Sequence, residues 1–113
     1  LLGYRTAGDI FMDDDIRAAG ADVIVTTEDG SFGRKGRVTD VMPELDYSYF
    51  YPCGPEAMFR AVDAVANTSG QFSFEARMGC GYGAYMGCTC QTKYGAKRIC
   101  KDGPVLTREE IVW

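Results

Sequence analysis

Apolar and polar residues alternate along the first part of the chain in an order that predicts strands and helices in turn. Leu1–Tyr4 is predicted to be the end of a buried strand, and Asp9–Ala19 a helix with Asp9 as its N-cap and Gly20 as its stop. The run Asp22–Thr27 is short, β-branched and apolar at its centre, which is typical of a strand covered on both faces. It is predicted to be a central strand of a parallel sheet.

The same order continues through the middle of the chain. A glycine-punctuated loop at residues 28–36 precedes apolar residues at helical spacing, and a short helix is predicted to begin near Thr39. Tyr47–Tyr51 predicts an aromatic strand, and the turn that follows it places Pro55 at the first position of a helix ending near residue 67. Alternating strands and helices predict an α/β fold, a parallel sheet joined by right-handed crossovers.

The pattern changes after about residue 68. Helical periodicity disappears, glycine and cysteine become frequent, and the strand-like alternation that remains is at Gln71–Phe74. We therefore expect residues 1–68 to be part of a nucleotide-binding α/β domain and residues 69–113 to be a small module organised by a metal group.

Composition and charge limit the classes of function that this chain is expected to have. The chain has 113 residues and a formal net charge of −4, without a run of Lys or Arg, so nucleic acid is not expected as a partner. No apolar stretch approaches the roughly 20 residues that span a bilayer, so no membrane is expected either. Five cysteines cannot all pair with one another, which favours a reducing cytoplasm, and the absence of His removes the commonest general base and metal ligand.

Four of the cysteines stand close together in the sequence: Cys80, Cys88, Cys90 and Cys100. The first three lie in or beside a glycine-rich stretch at residues 79–87. Such a loop suits an iron–sulfur cluster, because thiolates hold the iron while small residues let backbone amides approach the bridging sulfides and tune the potential. Two alternatives remain open: a zinc site, although the cysteine spacing lacks the close pairs that structural zinc sites use, and four ordinary core cysteines.

Two loops follow predicted strands at the edge where open parallel sheets bind ligands. Glu28 and Asp29 could accept hydrogen bonds from ribose hydroxyls, and the backbone at Gly30 could approach a phosphate; a plain solvated turn is the alternative. At the second loop, Cys53 followed by Gly54 leaves room for a flat ring, and a buried structural cysteine is the alternative there.

Motifs at these positions resemble a known family. The matching segments are Thr27–Ser31, Tyr51–Met58, Glu75–Ala84 and Cys100–Val105. Together they are similar to the electron-transfer subunits of dihydroorotate dehydrogenase, which belong to the ferredoxin reductase-like flavoproteins. The similarity runs over essentially the whole chain in the same order, and the glycine-rich cysteine loop is its most specific part.

The resemblance implies a particular organisation. In the family a flavin-binding barrel comes first, then an NAD-binding domain, then a C-terminal 2Fe–2S segment. This chain would begin inside the NAD domain, so FAD binding by the chain alone is not expected, nor is complete catalysis. Carried over by position, the residues facing the pyridine nucleotide would be Glu28, Asp29 and Gly30. Those near the stacked nicotinamide and flavin would be Cys53, Gly54 and Pro55.

The family's cluster ligands follow a Cys-x4-Cys-x2-Cys pattern with a later fourth cysteine. Cys80, Cys88 and Cys100 fall on the first, third and fourth positions, but residue 85, at the second, is Tyr. Three outcomes are open: Cys90 replaces the missing thiolate, Tyr85 binds as a phenolate, or the cluster is labile or absent. A weakened or rebuilt cluster is the outcome we expect, because the loop keeps its small residues.

The function implied by the resemblance is electron relay in pyrimidine biosynthesis. The chain would carry electrons between NAD(H) and FAD and the FMN of a catalytic dihydroorotate dehydrogenase subunit, through a 2Fe–2S cluster, in a cytoplasmic hetero-oligomer. Two alternatives are a subunit of a related NAD(P)H–ferredoxin oxidoreductase, sulfide dehydrogenase or hydrogenase, and a non-redox nucleotide-binding fragment with a decayed cluster site.

Overall fold

The computed structural model describes residues 1–75, 79–84 and 86–113, which divide into two compact units, Leu1–Leu45 and Asp46–Trp113. In the described residues the strands are β1 (Leu2–Tyr4), β2 (Val25–Thr27), β3 (Arg34–Lys35), β4 (Gln71–Ser73), β5 (Thr89–Thr92), β6 (Gly95–Arg98) and β7 (Val105–Thr107). The α-helices are α1 (Asp13–Ala18), α2 (Val38–Val41), α3 (Glu56–Val65) and α4 (Ile99–Asp102). None of the described helices has the length and apolar character needed to cross a membrane.

The first unit is built on a parallel sheet in the order β1-β2-β3. β2 pairs with β1 through Leu2 and Val25 and with β3 through Thr26 and Arg34. All three residues of β2 are buried. The predicted central parallel strand is therefore confirmed, although its ladder covers the second half of the predicted run.

The first helix differs from the prediction. A 3₁₀ turn at Ala7–Asp9 comes first, and α1 begins at Asp13 after Met12, whose φ is 62°. Asp9 caps no helix. Acidic residues in the first turn of α1 suit the positive end of its dipole. The helix ends where predicted, before Gly20.

The second helix begins at Val38, one residue before its predicted start. The Asp40 carboxylate accepts a hydrogen bond from the backbone N–H of Arg37 at 2.8 Å and so caps the first turn. The helix then tightens into a 3₁₀ turn, Met42–Glu44, which contains Pro43. A proline ring fits a helix start but not the interior of a longer helix, so α2 stays short.

The second unit has an aromatic core. Phe72 of β4 is fully buried, and its ring contacts the rings of Phe50, Phe59 and Trp113 with centroids 5.1–5.3 Å apart. The predicted strand at Gln71–Phe74 is confirmed as β4, which pairs antiparallel with β7. Burying these large side chains is the main source of stability for a unit of this size.

The predicted strand at Tyr47–Tyr51 is wrong as a continuous element. Phe50 makes an isolated parallel bridge to Gly70, and Cys53 makes another to Ser73. The backbone N–H groups of Gln71 and Ser73, both in β4, donate to the carbonyls of Phe50 and Pro52. Pro52 has no N–H to donate in return, which interrupts the ladder. Pro55 is the N-cap of α3, one position before its predicted place.

The boundary between the two compact units falls between Leu45 and Asp46, whereas the sequence predicts a domain boundary between residues 68 and 69. α3 lies between these two positions, in the second unit with β4 and the cysteine-rich segment. The assignment of residues 1–68 to a nucleotide-binding domain stays a prediction.

Gly33 provides a test of the first unit. It has φ +62°, and a Cβ atom there would stand 2.2 Å from the carbonyl oxygen of Val25. We expect Gly33→Ala to lower the free energy of unfolding by roughly 2–4 kcal/mol, since the clash is with backbone of the central strand. Gly20→Ala is the matched control, because its positive φ is similar in sign but no atom lies within 4 Å of the added Cβ. Gly20→Ala should lower the free energy of unfolding, measured by urea denaturation, by about 1 kcal/mol. Equal losses would contradict this account of Gly33.

Glu110 connects several elements of the second unit. Its carboxylate, 10% exposed, pairs with Lys97 of β6 and accepts hydrogen bonds from the backbone N–H and the hydroxyl of Thr107 at 3.1 and 2.7 Å. The hydrogen bond from Lys97, followed by those from Thr107, lowers the pKa of Glu110 below its ordinary value of 4.5. The ionised form is therefore bound into the fold.

This contact predicts a pH dependence. A carboxyl whose pKa is lower in the folded chain contributes stability above pH 4.5, and that contribution is lost as the pH falls through the folded pKa. We expect Glu110→Gln to lower the free energy of unfolding by about 2 kcal/mol at pH 7 and to flatten its fall below pH 4.5. Glu56→Gln, which removes an exposed ion pair with Arg60, should cost less than about 1 kcal/mol. Identical acid curves for wild type and Glu110→Gln would refute the assignment.

Candidate metal centre

A hairpin brings two of the four clustered cysteines together. β5 and β6 pair antiparallel from Thr89 with Arg98 to Thr92 with Gly95. The Thr92 hydroxyl closes the turn by donating to the carbonyl of Gly95 at 2.7 Å and accepting from the N–H of Tyr94 at 3.2 Å. The residues that flank the two strands, just outside the open end of the hairpin, are therefore close in space although they are distant in the sequence.

Cys88 and Cys100 occupy that open end. Cys88 ends a 3₁₀ turn, Met86–Cys88, before β5, and Cys100 lies in α4 after β6. Their sulfur atoms are 3.4 Å apart, and Cys88 is 2% exposed. Two thiolates each about 2.3 Å from one tetrahedral metal ion stand roughly 3.8 Å apart, so this spacing suits two ligands of the same metal ion.

Backbone amides and the contact between the two sulfur atoms shift the pKa values of this cysteine pair in opposite directions. Hydrogen bonds from the backbone N–H of Cys100, and to a lesser degree of Ile99, lower the pKa of Cys88. The hydrogen bond shared with Cys88, then burial and the negative charge at Cys88, raise the pKa of Cys100. These amide donors favour the charged form of Cys88, whose sulfur shares a hydrogen bond with that of Cys100. A thiolate stabilised by amides is the form that binds metal ions.

Cys80 contributes a third sulfur to the same region. It is half-buried, and its Sγ accepts a hydrogen bond from the backbone N–H of Ala84 at 3.2 Å. Its charge is also among the influences that raise the pKa of Cys100. One backbone amide of the glycine-rich loop therefore donates to a cysteine sulfur, and the predicted approach of amides to bridging sulfides stays a prediction.

Cys90 has a different environment from the other three. It lies in β5 opposite Lys97, and its Sγ contacts the carbonyl oxygen of Gln91 at 3.7 Å. Burial and the negative charges of Glu56 and Glu110 raise its pKa. Cys90 also lines a cavity of about 270 Å³ beside Phe74 and Trp113, as does Cys88.

The described residues allow a test of the fit to an iron–sulfur cluster. Among them, no three Cys, His, Asp or Glu side chains form a group that could hold a single metal ion. A two-iron cluster makes a different demand, because each iron takes two protein ligands. The close pair of Cys88 and Cys100 could meet that demand for one iron, and Cys80 could supply one sulfur for the other. Tyr85, at the remaining ligand position, lies outside the described residues.

The second predicted strand-end site has its own contacts. Cys53 is exposed, and its thiol donates to Oε1 of Glu75 at 3.6 Å. Burial and then this hydrogen bond raise the pKa of Cys53. Gly54 has φ +153°, and a Cβ atom there would lie 2.7 Å from the terminal methyl of Met58. Pro55 follows as the N-cap of α3. Glu75 begins one of the segments that resemble the family, but it was not predicted as a partner of Cys53, because their contact crosses 22 residues of chain.

The first predicted strand-end site lies in the other unit, after β2. The Asp29 carboxylate accepts hydrogen bonds from the hydroxyl and the backbone N–H of Ser31 at 2.6 and 2.9 Å, which lower its pKa. Glu28 pairs with Arg37 at 3.4 Å. Gly30 has φ +73°. The Ser31 hydroxyl also contacts Thr6, beyond the end of β1, so polar groups from two parallel strand ends meet here.

Comparison with known proteins identifies the family to which this chain is related. Residues 75–112 match the family described as the iron–sulfur cluster binding domain of dihydroorotate dehydrogenase B. An electron transfer subunit of dihydroorotate dehydrogenase B (NAD(+)) from Caldanaerobacter subterraneus is 43% identical over 101 residues, 81% of this chain. The corresponding subunit from Bacillus caldolyticus is 40% identical over 120 residues, 99% of this chain. The chain belongs to the family of dihydroorotate dehydrogenase B electron-transfer subunits.

A solved structure is also similar. The chain matches an NADH-dependent reduced ferredoxin-NADP oxidoreductase, described in connection with flavin-based electron bifurcation, with a TM-score of 0.82 and 28% identity over 99% of this chain. This supports the predicted α/β fold of ferredoxin reductase type. The chain spans 41% and 46% of the two subunits and 43% of the solved chain, less than half of each.

The geometry predicts different roles for the clustered cysteines. We expect Cys88→Ser and Cys100→Ser to lower the iron retained after anaerobic reconstitution by at least about tenfold, since each removes half of the close sulfur pair. Cys90→Ser should retain nearly as much iron as wild type, because its sulfur is bound into the hairpin. The measurement is iron per chain after gel filtration, with circular dichroism as the control for folding. A folded Cys90→Ser chain without iron would show that Cys90 is a ligand.

Proposed function

We propose that this chain is the cluster-bearing part of an electron-transfer subunit of dihydroorotate dehydrogenase B, and that its cluster is of the 2Fe–2S type. The observation that carries the proposal is the pair of sulfur atoms at Cys88 and Cys100, 3.4 Å apart inside the segment that matches the family. Bound there, such a cluster supplies transfer of one electron at a time.

The residues of the chain would act by holding and tuning this group. Cys88 and Cys100 would bind one iron and Cys80 the other, with the amide of Ala84 donating to the Cys80 sulfur at 3.2 Å. Amide donors stabilise negative charge on sulfur and so favour the reduced cluster. The fourth ligand is the weak point, because Tyr85 stands at the position the family gives to cysteine.

In the whole protein, the proposed role is to carry electrons between NAD(H) and FAD on one side and the FMN of a catalytic subunit on the other. The names of the relatives support NAD and a dihydroorotate dehydrogenase partner. Glu28, Asp29 and Gly30 would face the pyridine nucleotide, which agrees with their place after a parallel strand. Cys53, Gly54 and Pro55 would lie near the nicotinamide and flavin. A hetero-oligomer in the cytoplasm completes the proposal.

A second candidate has its own support. The solved structure that resembles this chain belongs to an NADH-dependent ferredoxin-NADP oxidoreductase, so a related reductase subunit could use the same fold and cluster. Affinity purification from the native host, followed by identification of the catalytic partner, separates the two. Recovery of a dihydroorotate dehydrogenase catalytic subunit supports the first proposal, and recovery of a different reductase subunit supports the second.

The test of the cluster is chemical analysis of the purified chain. After anaerobic reconstitution, equal amounts of iron and acid-labile sulfide, with an EPR signal on reduction, are expected for a 2Fe–2S site. A folded chain that takes up neither iron nor sulfide under these conditions would contradict the proposal and favour a non-redox nucleotide-binding fragment.

Tyr85→Cys tests the ligand assignment directly. A cysteine at residue 85 would complete the family pattern, so iron and sulfide per chain and the visible absorbance should all rise, and the cluster should survive air longer. Tyr94→Cys is the matched control, because it adds a thiol at an 80% exposed site in the hairpin turn. If both variants bind the same iron as wild type, residue 85 is not a ligand position.

A further inference from the structure

Arg98 links the two parts of the chain that carry Cys80 and Cys100. It is the last residue of β6, and its Nη1 donates to the carbonyl oxygen of Gly83 at 2.7 Å. Its backbone N–H donates to Oδ2 of Asp102 at 2.8 Å, and its Nε lies 3.7 Å from the same oxygen. Asp102 thereby fixes the arginine at the start of α4, with the guanidinium directed to the glycine-rich loop.

The carbonyl that Arg98 binds belongs to a particular peptide group. The C=O of Gly83 and the N–H of Ala84 form one planar unit, and that N–H donates to the sulfur of Cys80 at 3.2 Å. The backbone of Gly83 also hydrogen-bonds the thiol of Cys100. A cation on the oxygen of a peptide withdraws electrons from it, and this strengthens the hydrogen bond that its N–H donates.

The approach of the guanidinium depends on glycine. Gly83 is buried and has φ +91°, and a Cβ atom there would lie 2.7 Å from Cδ of Lys101 and 3.3 Å from Nη1 of Arg98. A larger residue would force the loop away from α4 or displace both cationic side chains. The space between the loop and the helix is therefore shaped to bring Arg98 onto this one carbonyl.

We propose that Arg98 is a positioning residue for the iron–sulfur site, acting through the Gly83–Ala84 peptide on the sulfur of Cys80 so that a cluster held there is more easily reduced and more slowly lost. The inference rests on the proposed function, since it needs a cluster at these cysteines. Its sign follows from charge: the reduced cluster carries one more negative charge, and a stronger amide hydrogen bond to its sulfur ligand stabilises that form.

The test compares Arg98→Gln with Lys101→Gln in the reconstituted chain. Both variants lose one positive charge beside the loop, but Lys101 makes no hydrogen bond to the Gly83 carbonyl among the described contacts. For Arg98→Gln we expect the ratio of reduced to oxidised cluster at a fixed ambient potential to fall about tenfold, equal to about 59 mV for a one-electron couple. Transfer of iron to a chelator should become about tenfold faster. Lys101→Gln should change both quantities less than threefold.

Conservative replacement separates positioning from folding. Arg98→Lys keeps the positive charge and one hydrogen-bond donor, so its reduction potential should lie between those of Arg98→Gln and wild type. A purely structural role would leave the reduction potential unchanged in all three variants. Equal potentials in Arg98→Gln and Lys101→Gln would overturn the proposal. An Arg98→Gln chain with the wild-type potential would overturn it as well.

A readout without the cluster distinguishes failure of this inference from failure of the proposed function. If the wild-type chain takes up no iron, the proposed function fails. Hydrogen exchange of the Ala84 amide in the iron-free chain then tests whether Arg98 holds the Gly83–Ala84 peptide. In nitrogen-15 labelled protein we expect that amide to exchange with solvent about tenfold faster in Arg98→Gln than in wild type or Lys101→Gln. Unchanged exchange would show that Arg98 does not hold this peptide.

Discussion

The position of the candidate metal centre depends on how the β5–β6 hairpin is held against the core. Glu110 does this with both its side chain and its backbone: the carboxylate binds Lys97 of β6 and Thr107 of β7, and the carbonyl accepts from the N–H of Lys93 at 2.8 Å. β7 in turn pairs with β4, which carries the buried Phe72. The aromatic core thus fixes the hairpin, and the hairpin fixes the distance between Cys88 and Cys100.

The loop and α4 then contribute dipoles to sulfur atoms that the hairpin has placed. Amides of Cys100 and Ile99 lower the pKa of Cys88, and the amide of Ala84 donates a hydrogen bond to the sulfur of Cys80. These donors are backbone groups, so side chains near the sulfur atoms must be small. This is the physical reason for a glycine-rich segment next to thiols, and it links the composition of the loop with the chemistry that it can support.

Local pattern predicted the elements that local forces decide. The prediction of β2 followed from a β-branched apolar run, and that of α3 from the turn that places Pro55 at the start of a helix. The glycine-rich loop and its cysteines were likewise visible in the sequence. The prediction of a strand at Tyr47–Tyr51 was wrong because it rested on aromatic composition alone and did not take into account that Pro52 has no N–H.

Contacts between distant residues could not be predicted in the same way. The approach of Cys88 to Cys100 depends on the register of the hairpin. The hydrogen bond from Arg98 to the carbonyl of Gly83 crosses 15 residues, and its acceptor is a backbone group that every residue has. The same holds for Glu110, whose partners come from two different strands.

The hairpin also bears on the replacement of the missing thiolate by Cys90. Cys90 pairs with Lys97 in the middle of the β5–β6 ladder, and the pair of Thr89 with Arg98 lies next to it. Reversing the direction of the Cys90 side chain would require the extended β5 strand to turn over, which would break these pairs, and they are the pairs that hold Cys88 close to Cys100. Recruitment of Cys90 in this way would therefore separate the sulfur atoms of Cys88 and Cys100. For the cluster site that we propose, the described geometry therefore favours Cys80, Cys88 and Cys100 as ligands over Cys90.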